Sequence, residues 1–240
     1  MTMHPQRIVL YGAPTSPYVA RVRIALEEAK APYEMVFFDL DEKPQWFVEK
    51  VNSEGKVPAL LYGGPPAPPE DPSPEALRLF ESAVLLEFIA DLFPNAGLLP
   101  SDPVLREKAR FFTYKLNETI FAALGVWLTN ADAGEQLLDL LATLQGLLPP
   151  EGYVAGEWSI ADAAFAPVVA VSVEVIAKTG WGAYVRIRGD KVLEEYTSPR
   201  FARLREYMRI NMERPSFRTS LDLELVTAKW LKRFASGTHC

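Results

Sequence analysis

Cysteine and histidine are nearly missing from this 240-residue chain, which has one cysteine, Cys240, and two histidines, His4 and His239, all at its ends. A lone cysteine excludes an intrachain disulfide. A Ser-His-Asp triad, a Cys-His pair or a His/Cys zinc site would each have to recruit a terminus. Basic residues are in deficit too. The 25 Lys and Arg against 31 Asp and Glu leave a net charge of −6, which argues against a nucleic-acid partner. No apolar run reaches membrane-span length, and Met1 to Gly12 holds no apolar signal core. The expectation is a soluble protein of a reducing, cytoplasmic compartment. There is no internal repeat. At 49% hydrophobic residues, the chain has enough material for one large or two modest domains.

What is present falls into two halves. Arg7 to Tyr11 reads as a short apolar strand, broken by Gly12-Ala13-Pro14. Ser16 suits an N-cap and Pro17 the first helical position, where a missing N–H costs nothing. Val19, Val22 and Leu26 carry that helix through Ala29. Strands follow at 32–39, 57–62 and 77–80, with a short helix at 44–51 and an amphipathic helix over 82–93. The proline-rich stretch Gly63 to Ala76 fits neither helix nor central strand and reads as an exposed excursion. The order β-α-β-α-β-β-α resembles a thioredoxin-like half-domain, assigned to residues 1–94.

Beyond a linker the pattern turns entirely helical, giving a second, all-α bundle domain over 102–240. Asp102-Pro103 opens a long helix with Leu105, Ala109, Phe112, Leu116, Ile120, Leu124 and Trp127 at three- and four-residue steps. Further helices are expected at 136–148, from Ser159 through Val175, at 199–212 and at 215–234. Ser159 and Asp162 have the spacing of a reciprocal cap, which makes Asp162 a structural residue rather than a catalytic one.

Three motifs stand where one element gives way to the next: Ser16-Pro17-Tyr18, Gly55-Lys56-Val57-Pro58 and Glu81-Ser82. A hydroxyl at a helix start can donate to an anion in the field of the helix dipole. A Val-Pro step ahead of an apolar run can present backbone groups to a peptide. An acidic residue followed by a serine can hold an ammonium and a carboxylate side by side. Together they read as a tripeptide-binding site.

The two halves joined near residue 95, with these motifs in this order, resemble the cytosolic glutathione transferases, and most of all their omega class. Lys43-Pro44-Gln45-Trp46-Phe47, Asn52, Gly55 to Pro58, Phe80-Glu81-Ser82-Ala83 and Leu98 to Pro103 match that class in type and order. Omega enzymes carry a cysteine followed by Pro-Phe where this chain reads Ser16-Pro17-Tyr18. A cysteine there supports thiol transfer; a serine instead donates to the glutathione sulfur and stabilises its thiolate. In this the chain resembles the serine-bearing omega-like enzymes of wood-degrading fungi, which are associated with binding plant polyphenols.

The resemblance implies glutathione as co-substrate, with no metal or nucleotide needed, and a fixed set of roles. Ser16 holds the thiolate, although a plain N-cap is its bland reading. Tyr18 supplies a second donor or an aromatic wall, or merely packs. Pro58 is expected in the cis form, aiming the Val57 backbone at the cysteinyl unit. Glu81 and Ser82 take the γ-glutamyl ammonium and carboxylate. Lys43 takes the glycyl carboxylate, assisted by Lys56, and is favoured over it because a lysine beside a glycine turn is commonly just solvated. Phe121, Trp127, Trp181 and Tyr184 are candidates for an apolar acceptor pocket between the domains, against the plain reading that aromatics at helical spacing are core. The reading is a glutathione transferase acting on hydrophobic, aromatic electrophiles and binding polyphenol-like ligands, a homodimer with no membrane partner. The alternatives are a ligand-sequestering protein that keeps its glutathione site and an enzyme cleaving aryl ethers with glutathione.

Overall fold

The computed structural model describes residues 6–129, 134–177 and 189–235. Its centre is β1 (Ile8–Gly12), buried along its whole length. Such a strand must be flanked and covered on both faces, and it is. The sheet order is β2 (Glu34–Phe37), β1, β3 (Ala59–Tyr62), β4 (Leu77–Leu79), with β1–β2 parallel and the other pairs antiparallel.

Alternation along β1 sends successive side chains to opposite faces. Ile8 and Leu10 join the main core, together with α1 (Pro17–Glu28) and α2 (Ser82–Leu92). Val9 and Tyr11 enter a smaller cluster with Phe47, Val51, Ala59, Leu61 and Ala76. The expected helix near residue 44 is π-helical over Phe47–Val51 and covers that second face.

The proline-rich excursion runs between β3 and β4 and is largely exposed, as expected. It is tacked down rather than free: Tyr11 donates its hydroxyl to the Pro69 carbonyl at 2.8 Å, and Arg7 Nη2 reaches the Ala67 carbonyl at 3.2 Å. Pro72, Ser73 and Ala76 are buried, while its tips stay exposed. Prolines forbid a ladder but leave their carbonyls free to accept.

The remainder is helical: α3 (Pro103–Thr129), α4 (Gly134–Leu147), α5 (Ile160–Val169), which runs on as a π-helical stretch over Ala170–Ala177, α6 (Gly189–Thr197), α7 (Ala202–Met212), α8 (Pro215–Ser220) and α9 (Leu223–Ala235). Asp102 caps α3 by accepting from Val104 and Leu105 N–H at 2.8 and 3.0 Å. The box before α5 forms as expected: Ser159 Oγ accepts from Ala161 N–H at 3.3 Å, and Asp162 Oδ2 accepts from Ser159 N–H at 2.8 Å. Two expectations fail. Helix α6 was not anticipated, and the single helix expected from Pro215 is two. Leu221 turns extended (φ −140°, ψ 108°), and Asp222 starts a new helix by accepting from Glu224 and Leu225 N–H, both at 3.0 Å. None of the described helices is long and apolar enough to cross a membrane.

One buried cluster runs from the sheet into the helices, from Ile8 through Phe165 to Val226. Helix α1 is the shared element. It packs on α2 within the first half and on α5 and α8 of the second. Polar ties reinforce the seam: Arg214 forms a fork on Glu28 at 2.8 and 2.6 Å, and Ser216 also donates to Glu28. These donors hold the Glu28 carboxyl below its ordinary range despite its partial burial.

Candidate functional site

Strand pairing brings the three motifs to one end of the sheet. Register places Tyr11 opposite Ala59, so the end of β1 lies beside the start of β3. It places Leu60 opposite Leu79, so the end of β4 returns to that same start. Parallel β2 ends there too, with Gly12 opposite Phe37. Ser16, Val57-Pro58 and Glu81-Ser82 each follow or precede these strand ends by a few residues. The loop after β2 adds Lys43.

Ser16 is the N-cap of α1, with extended backbone and only 7% of its surface exposed. Its Oγ accepts from Val19 N–H at 3.3 Å. That contact uses a lone pair and leaves the hydroxyl hydrogen to donate elsewhere. Pro17 occupies the first helical turn as expected. Gly12 permits the tight approach of strand to helix, since a Cβ there would stand 2.4 Å from a Val19 methyl. Tyr18 is half-buried, and burial pushes its phenol up, so it stays protonated and a donor at neutral pH.

Asn52 builds the next turn. Its Nδ2 donates to the Lys56 carbonyl at 2.8 Å, and its Oδ1 accepts from Glu54 N–H at 3.2 Å. Gly55 sits at φ +64°, a conformation that favours glycine, and Lys43 Nζ comes within 3.2 Å of where a Cβ would be. The Val57–Pro58 bond is cis. Lys56 is exposed and paired with Glu54 at 2.7 Å; that pairing, with a further contribution from Glu81, holds its ammonium above the ordinary lysine range. Lys43, Lys56 and Glu81 thus share one neighbourhood.

Glu81 is exposed and stands at φ 65°, ψ 104°, a region that non-glycine residues avoid. Such strain persists where the surroundings enforce it and gathers at functional positions. It immediately precedes the N-terminus of α2, with Ser82 buried as the first helical residue.

Sequence reasoning missed the residue behind Ser82. Arg21 is 1% exposed. Its Nε donates to the Ala164 carbonyl of α5 at 2.7 Å, and its Nη1 to Ser82 Oγ at 3.2 Å and Asn117 Oδ1 of α3 at 2.9 Å. Its guanidinium also stacks 4.9 Å from the Tyr18 ring centre. Burial pulls its pKa down to about 10, so it remains a cation. The available signal was a pair of polar residues, Arg21 and Asn117, on otherwise apolar helical faces.

The acceptor-pocket candidates are not tested by this geometry. The side chains of Phe121 and Trp127, together with Trp181 and Tyr184, lie outside the described residues. Surface depressions are present among the described residues. One lies on α3 between Arg106, Arg110, Phe111 and Tyr114, another between α7 and α9 around Met212 and Leu223.

Residues 10–97 match the family profile "Glutathione S-transferase, N-terminal domain". The fold is similar to glutathione transferase Omega 1C from Trametes versicolor, with a TM-score of 0.90 and 42% identity, covering 96% of this chain and 98% of that one. It is similar as well to glutathione transferase Omega 2S from the same organism, solved in complex with 2,4-dihydroxybenzophenone, with a TM-score of 0.85 and 41% identity over 93% and 98% of the two chains. In sequence, 126 residues are 32% identical to pyrimidodiazepine synthase of Drosophila melanogaster, covering 52% of this chain and 46% of that protein. The chain spans about half the length of the curated relatives it matches.

Proposed function

This chain belongs to the glutathione transferase family, and we propose that it binds glutathione at this sheet end and uses Ser16 to hold the thiolate for attack on an aromatic electrophile. The observation that carries the reading is the state of Ser16. Its oxygen is engaged as a cap, its O–H is left to donate, and it sits at the positive end of a twelve-residue helix. A donor fixed there favours the ionised thiol, whose proton passes to solvent. The sulfur then forms a bond to an electrophilic carbon and the leaving group departs. No histidine or second cysteine is needed for this chemistry.

The tripeptide lies along the three motifs. Its glycyl carboxylate faces Lys43, with Lys56 beside it, and the Val57 backbone ahead of Pro58 takes the cysteinyl unit. Glu81 takes the γ-glutamyl ammonium and Ser82 the carboxylate. Tyr18, protonated and half-buried, is the reserve donor or the wall beside the sulfur. Acceptors enter from the helical side, where Phe121, Trp127 and Tyr184 are the proposed lining. The working division is 1–94 for glutathione and 102–240 for the acceptor, in a cytoplasmic, detoxifying protein.

A second copy of the chain covers the face shared by α2 and α3. Val84, Val104, Phe111 and Tyr114 are exposed there, and Arg110 pairs with Glu87 at 2.8 Å across the two helices. Apolar exposure of this kind marks an association surface.

Aromatic ligand binding is a second reading, favoured by the dihydroxybenzophenone held by the Trametes Omega 2S protein. One experiment separates the readings: purified protein is assayed with glutathione against an aryl halide, and by thermal shift against hydroxylated benzophenones with and without glutathione. Turnover with glutathione supports the transferase. Stabilisation by benzophenones with no turnover of any electrophile leaves the sequestering protein. Absence of any glutathione effect on turnover or melting removes both.

A further inference from the structure

The loop between β3 and β4 has no part in the glutathione reading. Consecutive antiparallel strands are ordinarily joined by about 2–5 residues, and longer connections are usually functional or disordered. This one runs from Gly63 to Ala76, and it is not slack. Its first half reads Gly63-Gly64-Pro65-Pro66-Ala67-Pro68-Pro69-Glu70-Asp71. Each proline ring locks φ near about −65°, and a residue ahead of a proline is pushed to extended ψ, so the stretch from Pro65 favours polyproline II.

The small residues of the stretch face the body of the protein. A Cβ on Gly64 would stand 2.9 Å from the Ala76 backbone nitrogen, and the Ala67 carbonyl accepts from Arg7 Nη2 at 3.2 Å. The rings face outward: Pro65, Pro66 and Pro68 are exposed. With about three residues per turn, Pro65 and Pro68 fall on one edge of such a helix and Pro66 on the next. The far end is clamped. Tyr11 donates to the Pro69 carbonyl at 2.8 Å, and Asp71 N–H donates to the Pro68 carbonyl at 3.0 Å, closing a turn with Pro69 at its second position. Among the described residues nothing donates to the carbonyls of Pro65 and Pro66.

We propose that Pro65–Pro69 is a docking ridge for a protein domain that reads polyproline II through a groove of aromatic rings with a basic rim. The groove's rings clasp Pro65, Pro66 and Pro68, and an indole N–H or phenol O–H between them donates to the open carbonyls. The basic rim follows from the flank. Glu70, Asp71 and Glu75 are exposed beside the ridge, and the cations tied to the loop, Arg7 and Lys50, are already paired with Glu34 and Asp71. Because the ridge is preformed, little chain ordering is lost on association.

The test titrates the full chain by calorimetry against two purified domains. One is a WW domain with arginines beside its aromatic groove, and the other a Src-homology-3 domain whose groove ends in an acidic cluster. The WW domain should bind, and the acidic-grooved domain should bind at least about tenfold more weakly. Removing two exposed rings in the double variant Pro65→Ala, Pro68→Ala should weaken WW binding about tenfold or more at an unchanged melting temperature. Pro74→Ala, at an exposed proline off the ridge, should bind as the unsubstituted protein does. A free peptide of residues 63–71 should bind more weakly than the whole protein, since it lacks the clamps. No binding to the WW domain, binding that survives loss of Pro65 and Pro68, or tighter binding to the acidic groove would overturn the proposal. If the double variant melts early, Glu70→Lys decides: it should weaken WW binding and strengthen binding to the acidic groove, and no change in either overturns the proposal.

Discussion

Tyr207 on α7 donates its hydroxyl to Asp162 Oδ1 at 2.8 Å, adding an outer lock to the box that starts α5. Both side chains are buried. Burial pushes the Asp162 carboxyl up from 3.8 to about 6, outweighing the donors that surround it. The folded state therefore holds this proton more tightly than the unfolded chain does. The resulting stability is present below pH 3.8 and is lost as the pH rises through 6. Over a shift of about two units, at 1.36 kcal/mol each, that is at most about 3 kcal/mol. Asp162→Asn cannot titrate and turns a donor towards the Ser159 N–H. We expect it to be less stable by about 1–3 kcal/mol near pH 4, with the gap narrowing by pH 6. Urea denaturation of both proteins across that range checks it, and a gap that widens with pH would refute it.

Ser16→Ala should separate chemistry from binding. Removing one preorganised donor costs about 2.7–4 kcal/mol of transition-state stabilisation, roughly a hundred- to a thousandfold in kcat. Loss of the cap should lower stability by about 1 kcal/mol. The glutathione Kd should change little, because the peptide's ends are held elsewhere. Unchanged turnover with an aryl halide would move the role to Tyr18.

Ser16→Cys should gain an activity. A thiol at this position would sit at the N-terminus of α1, where the dipole and free N–H groups depress its pKa and make it a competent nucleophile. The variant should reduce mixed disulfides with glutathione, and the unsubstituted protein should not. Reduction at equal rates by both proteins would contradict the serine assignment.

The legible parts of the site were those written in a few consecutive residues. Ser16-Pro17 announced a helix start, Ser159 and Asp162 a reciprocal cap, and Val57-Pro58 and Glu81-Ser82 two element junctions. Each is local chemistry with a fixed spacing. What stayed hidden depends on contacts made across the chain. Arg21 meets Ser82 and Asn117 at separations of 61 and 96 residues, and on its own helix it is only an arginine among valines. The tether from Tyr11 to Pro69 and the lock from Tyr207 to Asp162 are of the same kind. The break at Leu221 was hidden for another reason. Asp222 is a good cap, but its neighbours keep helical spacing on both sides, so periodicity alone runs through it.

Glu81 offers a test of whether this end of the sheet trades stability for binding. Its φ of 65° and ψ of 104° cost a non-glycine residue about 1–3 kcal/mol. Glycine adopts positive φ freely, although its looser unfolded chain returns about 0.4–1 kcal/mol of that gain. Glu81→Gly should therefore melt at or above the temperature of the natural protein. Glu81→Ala, which keeps the strain, should not. Both variants lose the carboxylate proposed for the γ-glutamyl ammonium, so both should bind glutathione about tenfold or more weakly. Paired thermal denaturation and calorimetry on the two variants separate the backbone from the side chain. Should Glu81→Gly melt well below Glu81→Ala, the strain is not carried by residue 81. Should both bind glutathione as tightly as the natural protein, the carboxylate makes no contact with the ligand, and the positive φ is a matter of folding alone.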